Sequence, residues 1–165
     1  MKVEITVSAE EMPELIDLLI AKGAQITVHS SGAAAAERPV SLPPEIIEHL
    51  RTTASLDGRV LFTRFLEREV AERDASAELG TENTKYVKLY VPGPRKTGAY
   101  AYVTPYRGYI DFRLPASAVD GCAYAYLRDV RPGHAYPVRM PVNKPEALEE
   151  AHKLAHMAAE IASGI

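Results

Sequence analysis

The stretch "KYVKLYVPGPRKTGAYAYVTPYRGYIDFRLP", residues 85–115, decides the fold. It holds three runs, "KYVKLYV", "GAYAYVT" and "RGYIDFRL", in which aliphatic side chains alternate with tyrosines and charges. The proline–glycine segments "PGPRKTG" and "PYRG" separate them. Period-two alternation bounded by turn residues is the pattern of short antiparallel strands covered on one side. Two further runs, "CAYAYLRD" and "HAYPVRM", follow the turn "PASAVDG", so the expectation is a sheet of about five strands between residues 85 and 140.

Successive side chains of a strand point to opposite faces. On that rule one face collects Tyr86, Lys88, Tyr90, Tyr100, Tyr102, Thr104, Tyr109, Asp111, Arg113, Tyr124, Tyr126 and Arg128. The other collects Val87, Leu89, Val91, Ala99, Ala101, Val103, Ile110, Phe112, Leu114, Ala123, Ala125 and Leu127, and is the natural seat for helices. The tyrosine and basic face is then expected to look outward.

Charge follows the same division. Residues 85–144 carry ten basic side chains against Asp111, Asp120 and Asp129, a net charge of +7, which leaves −10 for the remainder of a chain whose total is −3. All nine tyrosines lie between Tyr86 and Tyr136. A basic, aromatic lobe on an otherwise acidic chain favours an anionic partner.

Outside this lobe the pattern changes. "KVEITV" at residues 2–7 alternates as a strand, Ser8 and Glu11 make a capping box for the helix that follows, Gly23 stops it, and "AQITVHS" alternates again. Residues 1–30 therefore predict a β-α-β unit. "SSGAAAAERPVSLPP" has no periodicity and places a linker at residues 31–43, followed by a main domain at 44–165. In that domain "PEIIEHLRTTA", a turn at Asp57 and Gly58, and "RVLFTRFLEREVAER" predict two helices. A helix-turn-helix that reads a DNA groove is disfavoured, because residues 44–74 hold five arginines against seven acids. The chain closes with "NKPEALEEAHKLAHMAAEIASGI", where Asn143 is the expected cap, Pro145 sits in the first turn, and Leu148, Ala151, Ala155, Ala158 and Ala162 form a narrow apolar stripe. The fold class is α+β: an antiparallel sheet covered on one face by helices, preceded by the β-α-β unit.

The order of a helix, "KYVKLYV", "GYIDFRL", "DVRPGH" at 129–134, a last strand and "KPEALEEAHKLAHMA" resembles a family of small uncharacterised α+β domains described as predicted transport proteins, often found beside nuclease-like modules. The resemblance covers residues 60–160. It departs from that family after the Gly–His, where a Trp–Gly stretch is expected and this chain has "GHAYPV" and no tryptophan. It implies a fold and supplies no catalytic residues.

Candidate chemistry centres on the outward face. An aromatic sheet with cations holds single-stranded nucleic acid in several modules, bases stacking on rings and phosphates meeting Lys and Arg. The expected contacts are Lys88, Arg95, Lys96, Tyr100, Tyr102, Arg107, Tyr109, Arg113 and Arg128, in a non-enzymatic nucleic-acid-binding or regulatory module for single-stranded or duplex nucleic acid. The alternative is a protein-interaction or homodimerisation domain whose tyrosine face a partner buries. A small enzyme, with His134 and Asp111 as first candidates, ranks third.

"GPRKTG" is not a Walker loop, since its second glycine follows the Lys–Thr and a strand comes next. His152 and His156 are the weak metal candidates, four apart on the last helix but without the H-E-x-x-H pattern. His134 is expected to pin a turn and Cys122 to be a buried small residue. No cofactor motif is present. One cysteine excludes an intramolecular disulfide, and no run of the chain reads as a secretory or membrane-spanning segment, so the expected location is the cytoplasm, with no membrane partner.

Overall fold

The computed structural model describes residues 42–80, 86–93 and 98–164. All belong to the second of the two units into which the chain divides, Glu37–Ile165. The expected β-α-β unit at 1–30, most of the linker, and Arg95 and Lys96 lie outside the described residues.

The described chain is α+β. Helices α1 (Pro44–Thr53) and α2 (Leu56–Arg73) lead into strands β1 (Ser76–Leu79), β2 (Val87–Tyr90), β3 (Ala101–Thr104) and β4 (Tyr109–Phe112). The two-residue β5 (Tyr126–Leu127), then β6 (Val138–Pro141) and α3 (Glu146–Ser163), complete it. The six strands form one antiparallel sheet in the order β1-β2-β3-β4-β6-β5. Among the described residues, no helix is long and apolar enough to cross a membrane.

Local chemistry sets the helix ends. Pro44 opens α1, where a missing N–H is harmless. Ser55 caps α2 by accepting the Gly58 N–H at 3.1 Å. A Cβ on residue 58 would stand 2.9 Å from that Ser55 oxygen, so glycine is what lets the cap close. Asp57 and Gly58 therefore lie in the first turn of α2, and the connection falls earlier, at Ala54 and Ser55. Asp74 ends α2 in the left-handed conformation at φ 51°, one that Asp tolerates better than most residues. Before α3, Asn143 makes no cap bond, and Pro145 occupies the cap position.

The helices cover the aliphatic face. Val87, Leu89, Ala101, Val103, Ile110, Phe112, Val138 and Met140 meet Ile46, Leu50, Phe62, Phe65 and Leu66 from α1 and α2 in one core. Burying each of the larger side chains contributes about 1.5–3 kcal/mol, the main term holding the layers together. From α3 come Ala151, Ala155 and Ala158, whose small side chains let a helix backbone lie close to the sheet.

Two strands differ from expectation. β1, "SAEL", is additional: four residues of middling strand propensity at a sheet edge carry too little pattern to read. Only Tyr126 and Leu127 of "CAYAYLRD" pair as a strand. The N–H groups of Ala123, Tyr124 and Ala125 bond instead to the Glu150 carboxylate on α3, at 2.7, 2.9 and 2.9 Å.

Candidate functional site

The outer face of the sheet is a continuous polar row. Register aligns Glu78, Lys88, Tyr102, Asp111, Arg139 and Tyr126 across all six strands, and side chains directly opposite in antiparallel strands share a face. On β2, β3, β4 and β6 the inward neighbours of this row are fully buried, whereas Lys88, Tyr102 and Arg139 keep partial access to water. Lys88, Tyr102, Tyr109 and Arg113 are thus brought to one side.

Two clusters organise that face. In the first, Tyr102 lies between Tyr86 and Tyr136, with ring centroids 4.8 and 4.4 Å away. Lys88 Nζ sits 5.9 Å from the Tyr86 ring, and the Arg113 guanidinium sits 5.6 Å from that of Tyr136. Tyr136 donates its hydroxyl to the Ala99 carbonyl at 2.7 Å. Burial, reinforced by Tyr102, pushes its pKa well above the usual tyrosine range, so the ring stays neutral.

The second cluster is built on Asp111. Arg139 grips it through two bonds of 2.7 and 2.9 Å while lying 3.5 Å from the Tyr109 ring centroid, and Arg128 approaches it at 3.2 Å. The hydrogen bonds that Arg139 donates to Asp111 hold its pKa above the ordinary value. Arg128 also donates to the Tyr136 carbonyl at 3.0 Å, so it braces the face. Arg107 is exposed, 5.3 Å from the Tyr106 ring, on the 3-10 turn Pro105–Arg107 that joins β3 to β4.

Tyr100 is a correction to the expected contact set. It is fully buried on the helix side, because the chain bulges just before β3. Ala101 is in register with Leu89, yet the Tyr100 N–H also bonds to the Leu89 carbonyl, at 2.8 Å. Two consecutive residues therefore oppose one, and alternation slips by a position. Sequence reasoning also missed Tyr136, which precedes β6 and escapes its alternation, and Arg139. The signal for Arg139 was present, since Val138 and Met140 face inward on either side of it.

Beneath the sheet, Tyr100 joins a buried polar centre that nothing in the sequence marked. The Glu69 carboxylate on α2, with no solvent access, accepts the Tyr100 hydroxyl at 2.9 Å and Arg73 Nη1 at 2.7 Å, and lies 2.9 Å from His152 Nδ1 on α3. Phe65 stacks on the His152 ring at 5.0 Å. Burial, and next the Glu69 charge, push the Tyr100 pKa far above its usual value, so this hydroxyl remains a donor.

The other candidates are committed elsewhere. His134 Nδ1 accepts the Tyr136 N–H at 3.0 Å, pinning a turn, and Asp111 is clasped by arginines. Cys122 donates weakly to the Ala118 carbonyl at 3.4 Å; burial and then Glu150 push its thiol pKa up, away from nucleophilic character. His152 spends Nδ1 on Glu69 and His156 Nε2 lies 3.4 Å from Glu160. Among the described residues, no group of three or more His, Cys, Asp or Glu side chains is placed to hold a metal ion.

Fold and site together define a helix-backed antiparallel sheet with an aromatic, cationic outer face and a buried carboxylate centre on the other side. Compared with protein-family models, curated proteins and solved structures, the chain matches none.

Proposed function

We propose that the domain is a non-enzymatic nucleic-acid-binding module that takes a single strand on its outer sheet face. The observation that carries the reading is the run of rings Tyr86, Tyr102 and Tyr136 with Lys88 and Arg113 beside it. Base stacking on such a ring contributes ~1–3 kcal/mol per base and tolerates any sequence, since every base has a π-face. Lys88 and Arg113 stand close enough to the rings to meet the phosphates of stacked nucleotides, and Arg107 extends the cationic rim. Tyr109 and Arg128 serve by holding the Asp111 cluster.

The test is a salt titration of oligonucleotide binding. Single strands should bind more tightly than duplex, with log affinity falling linearly against log salt. Lys88→Ala should reduce that slope by about 1 and leave the preference for strand type unchanged. No binding at low salt, or a slope that ignores Lys88 and Arg113 together, overturns the reading.

A second reading, homodimerisation at the edge of the sheet beside the tyrosine face, draws on Tyr126 and Leu127. They are 48% and 46% exposed on the edge strand β5, a hydrophobic edge of the kind a partner strand covers. A monomeric mass in solution that Leu127→Lys leaves unaltered removes it. The lone Cys122 suits a reducing compartment, which we read as the cytoplasm.

A further inference from the structure

His134 makes a hydrogen bond that only one of its protonation states allows. Pro132 and Gly133 form the centre of a tight turn in which the His134 N–H bonds to the Arg131 carbonyl at 3.1 Å. Gly133 has φ 80°, the left-handed value that a type II turn needs at that place. The imidazole is thereby set against its own chain two residues on, where Nδ1 accepts the Tyr136 N–H at 3.0 Å. A backbone N–H can only donate, so Nδ1 is the bare nitrogen of a neutral ring. A proton there would set two donors face to face.

The residue held in this way is the end ring of the outer-face run, 4.4 Å from Tyr102 between centroids. Its hydroxyl is bound to the Ala99 carbonyl and its own carbonyl to Arg128, so His134 supplies the partner of its remaining polar group. From the sheet, Tyr90 on β2, Tyr102 on β3 and Arg113 on β4 face Tyr136. Asp111 is spent on Arg139 and Arg128. The loop itself carries Asp129 and Arg131, both exposed. Arginines outnumber carboxylates in this neighbourhood, and among the described residues no carboxylate pairs with His134. A proton on the imidazole would therefore lose the Tyr136 bond and gain no ion pair in exchange.

We propose that His134 is a pH-sensitive latch on the outer face: its neutral ring holds Tyr136 against Tyr102, and protonation of Nδ1 releases the Tyr136 backbone and loosens the end ring of the run. The sign follows from the bond. It is present above the range in which the imidazole titrates and is lost as pH falls through that range. In acting on strand binding the latch rests on the reading above, but the opening itself needs no ligand.

Hydrogen exchange of the full chain, followed by NMR from about pH 8 to about pH 5 without oligonucleotide, tests this independently of strand binding. Relative to an unstructured amide, protection of the Tyr136 N–H should fall about fivefold or more, the worth of one such bond, in step with the His134 imidazole signal. The ring contact between Tyr136 and Tyr102 should weaken with it. His134→Ala, which also identifies that signal among the five histidines, should show at every pH the low protection that the wild type reaches only in acid. His134→Asn, whose amide oxygen accepts without titrating, should keep protection high throughout. Protection that does not follow the His134 signal, or that falls by the same factor in His134→Ala, overturns the proposal.

Discussion

Tyr100 and Tyr102 stand two residues apart in "AYAY" and finish on opposite sides of the sheet. Tyr100 is fully buried against α2, its hydroxyl spent on Glu69. Tyr102 lies half-buried between two other rings, with water still in reach. The same side chain thus serves two physical regimes. Below the sheet water is excluded, and every polar atom needs a fixed partner because an unpartnered one is destabilising. Above it water remains an alternative partner, so contacts are cheap to rearrange and the groups stay available to a ligand. One face should therefore be sensitive in stability and the other in binding.

The largest effect expected is at Glu69. Glu69→Ala strips the acceptor from Tyr100 and leaves Arg73 and His152 facing an uncompensated buried site. Removing one partner of a buried charge pair typically costs about 3–5 kcal/mol, which urea unfolding of the full chain will read. Glu69→Gln keeps an acceptor and should cost less. A loss below about 1 kcal/mol for Glu69→Ala would mean that the centre is not the rigid member of the comparison.

The two tyrosines themselves give the next test, as a crossed pair. Tyr100→Phe removes a bond to a buried carboxylate and should lower stability by about 1.5–3 kcal/mol without altering oligonucleotide affinity. Tyr102→Ala should weaken binding by ~1–3 kcal/mol, a loss that stacking on one ring accounts for. Its loss of stability should be the smaller of the two, because the ring is only half-buried. If both variants change stability alike and binding not at all, the outer face is merely the wet side of a sheet.

How much of this was legible in the sequence varied with the range of the interaction. The strands at Val87–Tyr90, Ala101–Thr104 and Tyr109–Phe112 were readable because alternation is a local property, and so were the helices on their aliphatic side. Local reading failed where one residue breaks the period: the bulge at Tyr100 turned a predicted surface contact into a core residue. The buried centre was invisible for another reason. Glu69 meets Tyr100 31 residues away and His152 83 residues away, and before the chain folds it is one acid among several on a charged helix. The same limit applied to Glu150, whose hold on Ala123–Ala125 replaces the strand expected there with a loop.

Glu150 supplies the smallest and most discriminating effect, because it connects the two regimes: a helix-layer carboxylate holding the loop that leads to β5 at the outer edge. Burial alone would raise its pKa, but the N–H groups of Ala123, Ala125 and Tyr124 outweigh that and hold it below the ordinary glutamate value. A carboxyl whose folded-state pKa is depressed stabilises the fold above its unfolded value, and that contribution is lost as pH falls through the folded one. Glu150→Gln should therefore cost about 1 kcal/mol at neutral pH, since a neutral amide oxygen accepts these bonds more weakly. The gap between wild type and variant should narrow steadily on acidification through the carboxylate range. Measured by urea unfolding at a series of pH values, a gap that is constant or widens toward acid would show that the charge of Glu150 does not hold the edge. A gap that closes, with the Tyr126 environment changing in step, would tie the stability of the outer face to the helix layer through this one side chain.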